Sequence, residues 1–143
     1  MVNKNIPAFV LDCSITMAWC FDDEGNLFTD KILSQMNILK AIVPTIWPLE
    51  VANVLLLAQR KKRISAIHSA SFIDALSGLS IIVDPSTTSK AMHTILRFAE
   101  NTKLTIYDAA YLELAFREKI PLATLDKDLI GAAKSMNIEL MST

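Results

Sequence analysis

Four carboxylates stand where a buried chain has little use for them. Asp12 ends the apolar run "AFVLD", and Glu50 interrupts "PTIWPLEVANVLLL". Asp108 falls early in "TIYDAAYLELAFREK", and Asp126 ends "IPLATLD". An aspartate that ends a buried strand costs free energy unless something compensates it. Taken singly, Asp108 has a second reading as a first-turn helix charge and Asp126 as a helix N-cap. Taken together, they are able to converge from separate segments on one rim. Two like charges ~4 Å apart repel by about 4 kcal/mol at an effective dielectric near 20, so a converged set calls for a cation. No His or Cys accompanies the four acids, and an all-oxygen donor set selects Mg2+ or Mn2+ over zinc. Such sites keep waters and bind phosphates, which points to hydrolysis of a phosphoester.

The elements that must position these acids follow from patterning. "AFVLDCS", "AIVPT", "SIIVD" and "IPLATLD" are short apolar runs that read as buried strands, and "IELMS" is expected to be a last one. Between them lie helical stretches. Ser14 is the expected cap of "ITMAWCF", and residues 27–39 carry a helix period on Leu27, Phe28, Ile32, Leu33, Met36 and Leu39. Pro48 suits the first turn of a helix that ends in Arg60-Lys61-Lys62-Arg63. Ser65 caps the next, which stops at Gly78, and further helices are expected over 87–101, from Thr105, and over "KDLIGAAKSMN". Wholly apolar strands that alternate with helices predict an α/β fold: three layers, a central parallel sheet with helices on both faces. In such sheets, functional groups gather beyond the carboxyl ends of the strands, where Asp12 and Asp126 fall.

Composition narrows the classes. The chain has 143 residues, 52% hydrophobic and 20% charged with three Gly, which is expected to form a single domain over 1–143 and is not disordered. A formal net charge of −1 gives no support to nucleic-acid binding by bulk charge. Any such role rests on a local patch or a bound cation. Cys13 and Cys20 make neither a disulfide framework nor a zinc spacing with His68 and His93, and read as small buried hydrophobes. With no secretory signal and an apolar stretch broken by Pro44, Pro48, Glu50 and Asn53, a cytoplasmic protein is expected. The run Arg60, Lys61, Lys62 and Arg63 has two readings: solvated cations offsetting a helix macrodipole, or contacts to RNA phosphates. Trp19, Trp47 and Tyr111 are expected in the core or a subunit contact, and Asp84 in a turn. A phosphoacceptor receiver domain, also α/β, is disfavoured because a single acid follows the first strand.

"FVLDCSITMAW", "PLEVANVL", "LTIYDAAYLELA" and "ATLDKDL" resemble, in order, the sequence blocks of PIN-domain proteins, the VapC-type toxins in particular. The likeness spans about residues 8 to 140. It implies a metal-dependent endoribonuclease that leaves a 5′-phosphate and a 3′-hydroxyl, uses Mg2+ or Mn2+, pairs with an antitoxin that blocks its site, and commonly forms a homodimer. By position, the acids of its metal centre are Asp12, Glu50, Asp108 and Asp126, with Asp128 as the competing fourth acid or an auxiliary. Ser14 and Thr124 match supporting hydroxyls, and Asn53 a polar position beside Glu50. An alternative within the same fold is an interaction protein without turnover, which the intact acid set argues against.

Overall fold

The computed structural model describes residues 7–142. Its elements run β1 (Ala8–Leu11), α1 (Cys13–Cys20), α2 (Leu27–Gln35), β2 (Lys40–Val43), α3 (Trp47–Arg60), α4 (Ala66–Ser77) and β3 (Ile81–Val83). They continue as α5 (Thr87–Lys90), a π-helical turn (Ala91–Ile95), α6 (Leu96–Glu100), α7 (Ile106–Glu118), β4 (Leu122–Ala123) and α8 (Lys127–Ser135). The strands form one parallel sheet in the order β3-β2-β1-β4. Val10 is opposite Ile42 on one side and Leu122 on the other, which makes β1 a central strand buried on both faces.

The chain steps outward from β1 to β2 and β3, then returns to place β4 on the other side of β1. Right-handed crossovers put the helices of the outward path on one face and those of the return path on the other. The packing agrees: α1 lies against α2 and α3, while α7 lies against α6, α8, β1 and β4. The expected three-layer α/β architecture is present. Its topological switch point lies between β1 and β4, the crevice where ligands of such sheets gather.

Most expected elements form where the patterns put them, and the departures have physical causes. Ser65 caps α4 by accepting from the His68 N–H, and Thr105 caps α7 by accepting from the Asp108 N–H. The cap expected of Ser14 does not form. The first helix starts two residues earlier, at Cys13, and the Ser14 hydroxyl is turned back to Asp12. The last strand is reduced to one bridge between Leu122 and Leu140. Ile32 in α2 and Met36 just past its end are buried but Leu27 and Leu33 are exposed; the helix, which opens with a capping box between Asn26 and Thr29, ends at Gln35. The helix expected over 87–101 is interrupted by the π turn, where buried Ile95 packs on Ala109 and Ala110 of α7.

Candidate metal centre

Asp12 follows β1 directly and is 5% exposed. Its Oδ2 accepts two hydroxyl donors, Ser14 Oγ at 2.6 Å and Thr124 Oγ1 at 2.7 Å. Each hydroxyl in turn accepts a backbone N–H from the start of the next turn, Ser14 from Leu125 and Thr124 from Asp126, both at 3.0 Å. This chain of bonds ties the ends of β1 and β4 together and compensates the buried carboxylate. Asp126 caps α8, its Oδ1 accepting from the Leu129 N–H at 3.0 Å. The strand that was expected to reach Asp126 stops at Ala123; Thr124 and Leu125 leave the ladder because their neighbours are committed to these side-chain bonds.

Glu50 lies in the first turn of α3, after Pro48. The buried Trp47 Nε1 donates to Thr16 Oγ1 at 3.1 Å, which pins this turn to α1. From α7, the Tyr111 hydroxyl donates to Glu50 Oε1 at 2.6 Å. Tyr111 was expected as a core or contact aromatic, and its ring is fully buried, but its hydroxyl belongs to the acid site. The signal was its spacing: Tyr111 is three residues beyond Asp108 and therefore shares a helix face with it. Asn53, one turn beyond Glu50, is exposed.

The electrostatics show that the acids share a field. Burial, together with the charges of Asp12 and Asp108, pushes Glu50 up to about 7, although the Tyr111 hydroxyl opposes the rise. Asp108 is raised by burial and then by Asp126, Asp12 and Asp128. Asp12 is raised by burial and further by Asp126, against the pull of its two hydroxyl donors. Burial, followed by the charges of Glu50 and Asp12, pushes the neighbouring Cys13 thiol up to about 12, so it is no nucleophile at neutral pH. Among the described residues, no three His, Cys, Asp or Glu side chains are gathered tightly enough to hold an ion as they stand. The donor chemistry fits a hard divalent ion, because every candidate ligand is a carboxylate oxygen and none is His or Cys.

Over residues 9–135 the sequence matches the family described as PIN domain. The chain belongs to the PIN-domain family. Solved structures share its fold. A protein of Pyrobaculum aerophilum, PAE2754, has a TM-score of 0.66 and 24% identity, with 89% of this chain and 86% of that one covered. VapBC2 of Rickettsia felis, solved bound to a DNA fragment from its promoter, has a TM-score of 0.64 and 14% identity, covering 94% and 97%. VapC20 of Mycobacterium tuberculosis, a toxin that cleaves the sarcin–ricin loop, has a TM-score of 0.59 and 12% identity, covering 87% and 94%. Among curated proteins there is no match.

The remaining expected site residues separate into two groups. Ser14 and Thr124 bond to Asp12, and the charge of Asp128 adds to the rise at Asp108. The basic run lies elsewhere. Arg63 pairs with Asp23 at 2.6 Å and Glu24 at 2.9 Å and covers the Phe21 ring, while Arg60, Lys61 and Lys62 are exposed at the far end of α3.

Proposed function

We propose that this PIN-domain protein is a Mg2+-dependent endoribonuclease, the toxin of a type II toxin–antitoxin pair working in the cytoplasm. The observation that carries the reading is that Asp12, Glu50 and Asp108 are each raised by burial and by neighbouring carboxylates, Asp126 among them, at the switch point of the sheet. Carboxylates crowded in this way are poised for a divalent ion, with Asp12, Glu50, Asp108 and Asp126 as the residues that would hold it. When bound, Mg2+ (or Mn2+ in its place) lowers the pKa of water and offsets charge on a phosphodiester. The chain's own groups do the positioning. Ser14 and Thr124 hold Asp12 through one carboxylate oxygen. Tyr111 does the same for Glu50. Asp126 is fixed by its cap bond to α8, and Asp108 projects from the capped start of α7.

Two further parts of the reading rest on likeness and on surface chemistry. The fold neighbours include the VapBC2 complex and FitAcB of Neisseria gonorrhoeae, which supports an antitoxin partner here. Exposed Leu49, Leu56, Leu57, Ile67 and Ile73 on α3 and α4 leave apolar surface for association, in keeping with a homodimer. Among the described residues no helix is long and apolar enough to cross a membrane.

The test is cleavage of single-stranded RNA in Mg2+, Mn2+ or EDTA by wild type, Asp12→Asn and Glu50→Gln. Wild type should cut only with a metal, and each substitution should lower the rate by more than the ~10–100-fold typical of changes outside the ligand set. Glu50→Gln should fold normally. Activity that survives EDTA and both substitutions rules the reading out, and RNA binding without any cutting would favour an interaction protein of the same fold.

A further inference from the structure

A cleft of about 490 Å3 opens between the segment that precedes α7 and one flank of α8. Asn101 and Lys103 line it from the first side, and Lys127, Asp128, Gly131 and Ser135 from the second. Two of its lining residues connect it to the candidate metal centre. Asp128 belongs to the cleft and also raises Asp108, and Lys127 lies in sequence between Asp126 and Asp128. Both lysines are exposed, and among the described residues the ion pairs use only Arg63 and Arg117 as cations. Nor does Lys127 serve its helix: it opens α8, where the macrodipole disfavours positive charge.

We infer that this cleft binds the phosphodiester backbone of the RNA strand next to the scissile bond, with Lys103 and Lys127 as its phosphate contacts. The inference rests on the nuclease reading and gives it a substrate track. A site crowded with carboxylates repels a polyanion, so nearby cations must bring the strand in. Lys127 is next in sequence to Asp126, and Lys103 lies two residues before Thr105, which caps the helix that carries Asp108. Arg60, by contrast, is ten residues beyond Glu50 on α3, about 15 Å along the helix axis, and Arg63 is already held by Asp23 and Glu24. Contacts to phosphates position a strand without reading its sequence, so the effect should be the same for every RNA cut.

Gly131 supplies a variant that blocks the cleft without harming the fold. A Cβ added there meets nothing within 4 Å, and any other side chain except proline improves helix propensity. Gly131→Glu therefore places a negative charge along the cleft in a protein that should fold at least as well.

The experiment has two arms. In EDTA, binding of a fluorescein-labelled single-stranded RNA oligonucleotide is followed by anisotropy across a salt series. In Mg2+, cleavage of the same RNA gives kcat and KM. Lys103→Ala with Lys127→Ala should weaken binding on the order of tenfold and lower the slope of log K against log salt by about 1.4, roughly 0.7 per contact. Gly131→Glu should raise KM by a similar factor, whereas Gly131→Gln should have a smaller effect. Mn2+ affinity should be unchanged in the lysine variants, which separates strand binding from metal binding. Wild-type salt slope and KM in all these variants overturn the cleft while leaving the nuclease reading intact. A wild type that binds RNA through the lysines but never cuts overturns the nuclease reading and keeps the cleft. Absence of both binding and cutting overturns both.

Discussion

At the scale of single residues, the site is built by hydroxyls that each take one oxygen of a carboxylate. Ser14 and Thr124 share Asp12 Oδ2, and Tyr111 holds Glu50 Oε1. The Tyr111 bond favours the ionised form of Glu50, so its loss has a defined sign. In Tyr111→Phe the ring still fills its place in the core, the donor is gone, and the Glu50 pKa should move further above its present value of about 7. An NMR titration of the labelled Glu50 carboxyl in metal-free protein checks this directly. Mn2+ affinity should fall by roughly tenfold, as expected for a partner that orients a ligand, while stability changes by only about 1 kcal/mol. A Glu50 midpoint that stays or falls would show that the hydroxyl plays no electrostatic part. The acids themselves were legible in the sequence, because a carboxylate ending or interrupting an apolar run is conspicuous. Tyr111 was harder to read, because its apolar neighbours are those of any buried tyrosine and only its three-residue spacing from Asp108 sets it apart.

At the scale of elements, α7 is the member on which the site depends. Residues Ala109 to Ala115 are all buried, so the helix has almost no polar face, and its amphipathic signal is correspondingly weak. Its one charge in that stretch, Glu113, is compensated by Arg117 at 2.9 Å, one turn along. Arg117 also reaches Asp84 after β3, at 2.7 Å. Asp84, expected as a turn residue, does accept the Ser86 N–H, but it is 4% exposed and serves mainly as the anchor for this arginine. Nothing local could announce the pair, since the partners are 33 residues apart. The order of strands and helices was readable because each apolar run is short and well bounded. The short β4, the π turn and the lost last strand were not, because they are set by what packs alongside. Burial raises Asp84, but the bonds from Arg117, Thr87 and the Ser86 N–H outweigh it, and the net pKa lies below 3.8. Its contribution to stability is thus fully present above pH 3.8 and is lost as pH falls through the folded value. Asp84→Asn should destabilise the protein by about 3 kcal/mol at pH 7, a low figure for a buried pair because Arg117 keeps Glu113 and Glu118. Urea unfolding should show that difference shrinking in acid, and a pH-independent difference would mean that the pair is not the cause.

At the scale of the whole molecule, the topology that creates the site also strains it. Doubly wound connections bring the ends of β1 and β4 together, with the starts of α3 and α7 above them, and each of these carries an acid. Raised carboxyl pKa values have the opposite consequence to that of Asp84. A Glu50 that titrates at about 7 when folded and at 4.5 when unfolded binds more protons in the native state, so stability falls as pH rises through that window. Asp12 and Asp108 act in the same direction from 3.8 upward. Glu50 alone, half-buried and partly screened, should contribute about 1–2 kcal/mol of this loss. Metal-free protein should therefore be most stable in mild acid, with Tm falling by several degrees between pH 5 and pH 7.5, since one kcal/mol shifts Tm by roughly 3–4 °C at this size. A divalent ion that binds only the native state must reverse that slope, adding about 2.7 kcal/mol at a concentration 100-fold above its Kd. Thermal unfolding with EDTA, Mg2+ or Mn2+ at both pH values measures the effect, and Asp12→Asn should abolish the gain from metal while leaving the contribution of Asp84 in acid untouched. A Tm that ignores the metal at pH 7.5 would leave these carboxylates as a strained rim with no cation to relieve it.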